Sequence, residues 1–226
     1  VTFPESADFY EAQDQFVQQV DKTNTQIKVS SSLNPAQFGD TVALTADVDI
    51  LPPGAGISGT SLDELITGTV TFFIDGNPQA PVSVNAAGVA SISRGNLSVS
   101  GHLVRASYSG DVHFNSANTA IDLTQQVNRA TTNTVVTGAP DPTNVGQNVT
   151  FTVTVSAVNP SAGTPIGTVV FLDGATAFGS RSLVNGAATF DISTLPPGAH
   201  TINVNYLGST NYDVSSGSTS HTVKGN

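Results

Sequence analysis

The sequence predicts an all-β protein built from two similar β-sandwich domains that follow one another in an elongated rod. Three observations lead to this prediction. The chain repeats itself once, its apolar residues alternate with polar ones, and turn-forming dipeptides separate the alternating stretches.

The internal repeat consists of four pairs of matching segments. Residues 23–48 align with 131–155, 68–76 with 167–174, 88–91 with 186–189, and 102–111 with 200–209. The repeat divides the chain into an N-terminal extension over residues 1–21, domain 1 over residues 22–128 and domain 2 over residues 129–226. Domain 1 is the longer of the two, mainly because of an insertion near residues 51–66.

The strands are predicted from period-two alternation. In domain 1, apolar residues at every second position from Val42 to Ile50 alternate with small or acidic ones, and Phe151, Val153 and Val155 alternate with threonines in domain 2. Tight hairpin turns are predicted at Asp75-Gly76, Asp173-Gly174 and Asn185-Gly186. About seven short strands in about 100 residues are typical of an immunoglobulin-like sandwich.

The linker between the two domains is short. Only Asn128-Arg129-Ala130-Thr131 separates the last strand of domain 1 from the first strand of domain 2, without glycine, proline or a serine-rich stretch. Such a linker is not a flexible tether. We therefore expect the two domains to form a fairly stiff rod.

The motifs in the two copies resemble tandem bacterial Ig-like repeats of the third group. Domain 1 carries the motif residues Asn34-Pro35, Gly39, Gly68-Thr69-Val70, Phe72, Asp75-Gly76, His102, Tyr108 and Gly110-Asp111. Domain 2 keeps most of them, but Ser209 replaces the last acidic residue. The resemblance covers most of the chain. It implies a place in a secreted or surface-attached protein, as an adhesin stalk, fibre or spacer, and it implies no catalysis.

The composition excludes several other classes of protein. The 226 residues contain no Cys, Met or Trp and have a formal net charge of −10. A disulfide scaffold and a thiolate metal site are therefore impossible, and seven basic residues are too few for a nucleic-acid-binding surface. No apolar run approaches the length of a membrane span. The chain shows no leader sequence, so we expect any secretion leader to be absent from it.

The extension over residues 1–21 belongs to neither domain and carries five acidic and no basic residues. Its segment from Phe16 to Val20 aligns with residues 123–127, the predicted last strand of domain 1. Three interpretations remain open: a donor strand that completes a sheet in a neighbouring copy, the tail of a preceding repeat, or an amphipathic helix. In the first interpretation Phe16 and Val20 point into the acceptor core, and Phe9 is a weaker candidate.

Other motifs carry little functional weight. Residues 54–59 match G-x-G-x-x-G, but they lie in the insertion of an all-β domain and not between a strand and a helix. The pattern Ser61-Leu62-Asp63-Glu64 has the form of a capping box and predicts a single helical turn over residues 62–66. The equivalent His102 and His200 are expected to be structural, and the scattered acidic residues Asp40, Asp47, Asp49 and Asp111 are expected to be solvated and not to bind calcium. We expect no catalytic residue, no cofactor and no metal.

These observations predict a non-enzymatic extracellular or cell-surface protein. The first hypothesis is a filament subunit whose partners are neighbouring copies, joined head to tail through residues 9–21. The alternative is a stalk or adhesin fragment that contacts a host or glycan ligand through loop 51–66. A third interpretation is an accessory domain of a carbohydrate-active enzyme, but the chain has no Trp and only four Tyr for a sugar-binding platform.

Overall fold

The computed structural model of the chain describes residues 16, 17, 19, 21–51 and 66–225. In these residues the regular structure is β, apart from a single 3-10 turn at Pro160–Ala162. The strands form two sandwiches in series, which confirms the predicted fold class.

Domain 1 consists of two sheets. Its strands are β1 (Thr25–Ser31), β2 (Ala36–Gln37), β3 (Val42–Ile50), β4 (Thr69–Ile74), β5 (Asn77–Pro78), β6 (Val82–Ser83), β7 (Val89–Arg94), β8 (Gly101–Tyr108), β9 (Ala117–Asn118) and β10 (Leu123–Asn128). One sheet has the order β1-β3-β7, and the other has the order β2-β10-β8-β4-β5, with β6 added to β4 and β9 to β8.

Domain 2 repeats this arrangement. Its strands are β11 (Thr132–Ala139), β12 (Thr143–Asn144), β13 (Val149–Ala157), β14 (Thr168–Asp173), β15 (Thr176–Ser182), β16 (Ala187–Ile192), β17 (Gly198–Tyr206) and β18 (Ser215–Lys224). The sheets have the orders β11-β13-β16 and β12-β18-β17-β14-β15. In both domains the short second strand pairs in parallel with the last strand, and the other pairings are antiparallel.

The alternation in sequence corresponds to the two faces of each strand. Val42, Leu44, Ala46 and Val48 of β3 are buried in the core of domain 1, and Phe151, Val153 and Val155 of β13 are buried in domain 2. Because side chains point to opposite faces at every step, the polar residues between them face outward. Each fully buried Leu, Val or Phe contributes about 1.5–3 kcal/mol relative to an exposed one.

A buried tyrosine closes the same corner of each sandwich. The hydroxyl of Tyr108 donates to the Thr67 carbonyl at 2.6 Å, and that of Tyr206 donates to the Ile166 carbonyl at 2.5 Å. Both rings are fully buried, and burial raises the pKa of Tyr206 and, with the nearby Asp111 carboxylate, the pKa of Tyr108 to about 12. The tyrosines therefore stay neutral and anchor the loop that precedes β4 or β14.

The hairpin turns agree with the predicted positions in two cases out of three. Asp75-Gly76 has φ of 51° and 81°, and Asn185-Gly186 has φ of 51° and 76°, the left-handed values of a two-residue hairpin turn. Asp173, in contrast, is still paired with Thr176 as the last residue of β14. The turn there lies one residue later, at Gly174-Ala175, because the Asp173 backbone continues the ladder.

Candidate functional site

The junction between the two domains is a fixed contact. β10 ends at Asn128 and β11 begins at Thr132, and in between Ala130 is buried and forms a parallel bridge to Tyr212. The Ala130 N–H donates to the Asn211 carbonyl, and the Ala130 carbonyl accepts from the Asp213 N–H, both at 2.9 Å. The linker is thus held by domain 2 immediately after it leaves domain 1.

A loop of domain 1 extends this junction. It consists of residues 37–40, from the last residue of β2 onward, at the end of domain 1 where the chain leaves it. The Phe38 ring packs edge-on against Tyr212 with ring centres 5.9 Å apart, and the Asn159 amide donates to Asp40 at 2.5 Å. Gln37 donates to the Thr131 hydroxyl at 3.1 Å. We call residues 37–40 together with their partners in domain 2 the interdomain joint.

Gly39 brings the two backbones together in this joint. A Cβ added at Gly39 would lie 2.7 Å from the Ser161 carbonyl carbon and closer still to the Ala162 backbone. Its φ is +91°, a left-handed value that side chains other than glycine rarely adopt. The close backbone approach and the left-handed φ both require glycine at position 39, so the joint depends on this residue.

The segment before domain 1 meets it in the same way as the linker meets domain 2. Thr23, which corresponds to Ala130, bridges to Phe114, which corresponds to Tyr212. The Thr23 N–H donates to the His113 carbonyl at 3.0 Å, and the Asn115 N–H donates to the Thr23 carbonyl at 2.9 Å. Thr23 therefore holds the position in domain 1 that Ala130 holds in domain 2.

The predicted interface residues are only partly described. Phe16 is 84% exposed and its neighbour Val17 is 87% exposed, so neither side chain packs on the two sandwiches. Phe9 and Val20 lie outside the described residues, and their predicted role stays a prediction. The same holds for most of loop 51–66 and its predicted helical turn, of which only Leu51 and the buried Ile66 are described.

The two equivalent histidines each bridge two acceptors. His102 Nδ1 lies 2.7 Å from an Asp75 carboxylate oxygen, and its Nε2 lies 3.0 Å from the Ser98 carbonyl. His200 repeats this with Asp173 at 2.7 Å and the Pro196 carbonyl at 2.8 Å. Since carboxylates and carbonyls only accept, the imidazolium form alone can donate at both nitrogens.

The electrostatics agree with this geometry. Burial by itself lowers the pKa of His102, but the hydrogen bonds to Asp75 and Ser98 and the Asp75 charge outweigh burial and raise it above 6.5. Burial also lowers the pKa of His200, but the hydrogen bond to the Pro196 carbonyl, followed by the hydrogen bond to Asp173 and the Asp173 charge, outweighs burial and raises this pKa. The hydrogen bond with His102 also lowers the pKa of Asp75. The expected structural role of both histidines thus includes a clamp between a hairpin and the loop before the next strand.

Asp111 organises the end of domain 1 where the chain enters it. Its carboxylate accepts from the backbone N–H groups of Thr67, His113 and Phe114, and from the Tyr108 hydroxyl. Burial raises the pKa of this carboxyl, but the hydrogen bonds outweigh burial and lower it to about 2. Asp111 is therefore a structural acceptor and not a free ligand.

The acidic residues considered for calcium are not brought together. Asp40 binds Asn159 in the joint, and Asp49 forms an ion pair of 2.9 Å with Lys28. Among the described residues no group of three or more potential metal ligands occurs. The described part of the chain also holds no helix that is long and apolar enough to cross a membrane.

Comparison with known proteins identifies the family. A family model described as bacterial Ig-like domain (group 3) matches residues 29–128 and again residues 136–224.

The chain belongs to the group 3 bacterial Ig-like family.

The solved structures to which this chain is similar share little sequence with it. Fibronectin(III)-like modules of CbhA from Clostridium thermocellum are 14% identical over 88% of this chain and 94% of that chain, with a TM-score of 0.36. The Yersinia pseudotuberculosis adhesin InvE is 15% identical over 86% of this chain and 58% of that chain, with a TM-score of 0.38. The Escherichia coli adhesin FdeC is 15% identical over 88% of this chain and 64% of that chain, with a TM-score of 0.35. Comparison with curated proteins finds no match.

The sequence analysis missed the joint of this Ig-like pair. Phe38 corresponds to Val145 in domain 2, and that difference is the only signal of a special role at Phe38 in the sequence. It also treated Asp75 and Asp173 as turn residues alone. Both aspartates recur together with both histidines, so the repeat itself carried the signal for the histidine clamps.

Proposed function

We propose that the protein is a non-enzymatic structural component of a bacterial cell surface, and that its copies join head to tail through residues 9–21. The family places it among bacterial Ig-like domains. One observation carries the proposal of assembly: residues 16–20 are related in sequence to residues 123–127 of β10, yet Phe16 and Val17 are 84% and 87% exposed.

A strand of this kind is not stable alone. An extended segment leaves its backbone groups unpaired and its apolar side chains in water, and burying a Phe side chain contributes about 2 kcal/mol. Adding such a segment to a sheet of another molecule satisfies both requirements, since the new ladder supplies backbone hydrogen bonds and the sheet face supplies apolar contacts. Phe16 and Val20 are the residues we expect to be buried by this contact.

The interdomain joint gives the proposed assembly its mechanical role. Because residues 37–40 hold domain 2 against domain 1, a pull along the chain is transmitted through packed side chains and not through a loose linker. A row of such pairs is a spacer that keeps its direction. This property suits a stalk or a fibre at a cell surface.

Solution size tests the proposal. Sedimentation velocity compares the full chain with a chain lacking residues 1–20 over a range of concentrations. We expect concentration-dependent polymers from the full chain and monomers from the truncated one. Phe16→Asp should also abolish assembly, because the charge cannot enter an apolar contact. Val184→Asp, at an exposed valine of domain 2, is the matched control and should assemble normally.

A monomeric full chain at high concentration would contradict the assembly. The resemblance of residues 16–22 to β10 would then mean that they end a sandwich of the same longer chain, and the protein would be a stalk segment. The ligand contact through loop 51–66 stays a prediction, because these residues lie mostly outside the described ones. Deleting the loop should abolish binding to a host or glycan ligand while leaving the melting temperature nearly unchanged.

A further inference from the structure

The two domains differ in the course of their last strand. In domain 1, Ala117 pairs with Tyr108 and Leu123 pairs with Val104, so six positions separate the two pairs along the last strand. In domain 2, Ser215 pairs with Tyr206 and Thr219 pairs with Ile202, so four positions separate them. Domain 1 therefore has two extra residues within this stretch. They interrupt the strand, so that β9 and β10 are separate and residues 120–122 lie outside the ladder, whereas β18 continues without a break. Thr119 still donates its backbone N–H to the Ala106 carbonyl of β8 at 3.0 Å.

The uninterrupted strand closes the free edge of the first sheet in domain 2. The Ser215 hydroxyl lies 2.7 Å from the hydroxyls of both Thr132 and Thr134 in β11. Gly217 lies so close to Thr134 that an added Cβ would be 3.1 Å from the Thr134 carbonyl carbon and would overlap its oxygen. No strand can be added between β11 and β18 without separating them.

The same edge is open in domain 1. β1 is the outer strand of its sheet, and a groove of about 490 Å³ lies between β1 residues 26–29 and the residues 118 and 120–123. Ile27 and Val29 line one side and Leu123 lines the other. Ile121, at the tip of the interrupting segment, is 85% exposed. The groove runs along the outer edge of β1, which no strand of the described residues covers, while the other edge of β1 pairs with β3.

We propose that this groove binds the N-terminal strand, residues 9–21, of a second copy of the chain. The inference rests on the proposed assembly and names its acceptor. Both last-strand positions are already filled by β10 and β18, so the described domains offer no place for a missing strand, and the incoming segment adds to an edge. β1 is the edge that the two extra residues uncover.

The dimensions of the two parts agree. Four residues of β1 span about 13 Å, and residues 9–21 span about 40 Å when extended. The segment can therefore cross the groove and still connect to its own domain 1 at Thr23. Phe16 on one copy and Ile121 on the other are exposed apolar residues that the contact covers, whereas Val17 points to the opposite face of an extended strand.

Disulfide trapping tests the contact directly, because the chain contains no cysteine. A copy with Val17→Cys is mixed with a copy with Lys28→Cys and oxidised. We expect a covalent dimer of one copy of each kind. The matched control replaces Lys28→Cys by Val135→Cys, the corresponding position of β11, which is 52% exposed and should not cross-link. Equal cross-linking at both positions, or none at Lys28, would overturn the proposal.

Closing the groove provides the second test. Deleting Ala120 and Ile121 gives the last strand of domain 1 the length of β18, and should abolish polymers of the full chain. Ile121→Asp is a milder variant that leaves the core intact, since the side chain is exposed, and should weaken assembly about tenfold. If polymers persist in both variants, the groove is excluded as the acceptor, but the proposal of assembly through residues 9–21 is not contradicted.

A peptide of residues 9–21 separates this inference from the proposed function. It is titrated into the chain lacking residues 1–20, with NMR shifts as the readout. Saturable binding that shifts β1 and residues 118–123, and that Ile121→Asp weakens about tenfold, supports the groove even if the full chain is monomeric. Absence of binding, or shifts elsewhere on the sandwich, would overturn it. In a chain that carries both Val17→Cys and Lys28→Cys, disulfides formed only within one chain would equally exclude the second copy as the occupant.

Discussion

Replacing Gly39 by alanine is expected to open the interdomain joint. The added methyl group would lie 2.7 Å from the Ser161 carbonyl carbon, against an ordinary contact distance of about 3.5–4.0 Å. The two backbones must therefore separate locally by about 1 Å. Such a shift lengthens the hydrogen bond between Asn159 and Asp40 from 2.5 Å beyond its useful range and loosens the packing of Phe38.

The size of the effect follows from these two contacts. A hydrogen bond to a charged group contributes about 1.5–3 kcal/mol, and an aromatic pair contributes about 0.5–1.5 kcal/mol. With partial compensation by water, we expect the joint to weaken by about 2 kcal/mol, a shift of about 30-fold toward separated domains.

Gly146→Ala is the matched control for the backbone cost. Gly146 occupies the same turn of domain 2, with φ of +80° and no heavy atom within 4 Å of an added Cβ. Both variants pay about 1–2 kcal/mol for a left-handed alanine, so the difference between them isolates the joint. The Val145 N–H donates to the Lys224 backbone carbonyl at 3.2 Å, and the Phe38 N–H donates to the Asn128 backbone carbonyl at 2.8 Å. These matching hydrogen bonds show that the two turns are equivalent.

Residual dipolar couplings measure the relative orientation of the two domains, and urea unfolding measures their stability. We expect one common alignment for the wild type and for Gly146→Ala, but two separate alignments for Gly39→Ala, together with the larger loss of stability. If the two variants lose the same stability and both keep one alignment, the contact at Gly39 does not hold the domains together.

Four further outcomes follow from the histidine clamps, from Asp111 and from the interdomain joint. The folded pKa values of His102 and His200 are raised above 6.5, so the stabilisation by their protonated forms is complete below that pH and is lost as the pH rises through the folded pKa values. Urea unfolding from pH 4 to 9 should show this decline in stability. The double variant His102→Asn with His200→Asn should show a flatter pH dependence. The pKa of Asp75 is lowered from 3.8, so its contribution disappears on the acid side, as the pH falls through its folded value. Asp111→Asn should lower the free energy of unfolding by about 2 kcal/mol in the same assay, because an amide nitrogen cannot accept the backbone N–H bonds. The control Asp122→Asn, at an exposed residue, should lower it hardly at all. Equal losses of stability in the two variants would contradict the role of Asp111. Phe38→Ala should lower the stability of the joined state by about 1 kcal/mol, while Val145→Ala, at a residue that is 43% exposed, should not alter domain orientation.

The fold was accessible from the sequence because its determinants are local and repeated. Period-two alternation in β3 and β13 is a property of neighbouring residues, and two-residue turns such as Asn185-Gly186 depend on the left-handed preference of their own residues. The turn after β14 was placed one residue too early, since both Asp-Gly and Gly-Ala suit a tight turn and the ladder with β15 decides between them.

The candidate sites were accessible only in part. The relation of residues 16–20 to residues 123–127 was visible as sequence similarity, and the repeated histidines were visible as a pair. Their partners were not, because Asp75 and His102 are 27 residues apart and are joined only when β4 and β8 lie side by side.

By itself, the sequence determined the all-β class, the two Ig-like copies, the short linker and the similarity of residues 16–20 to residues 123–127. Only the tertiary structure decided that Phe38, Gly39 and Asp40 hold domain 2, and that two extra residues in the last strand uncover β1. The physical reason is the range of the interactions. Alternation and turn chemistry act between neighbours along the chain, whereas a joint and an open sheet edge depend on how distant backbones approach each other in space.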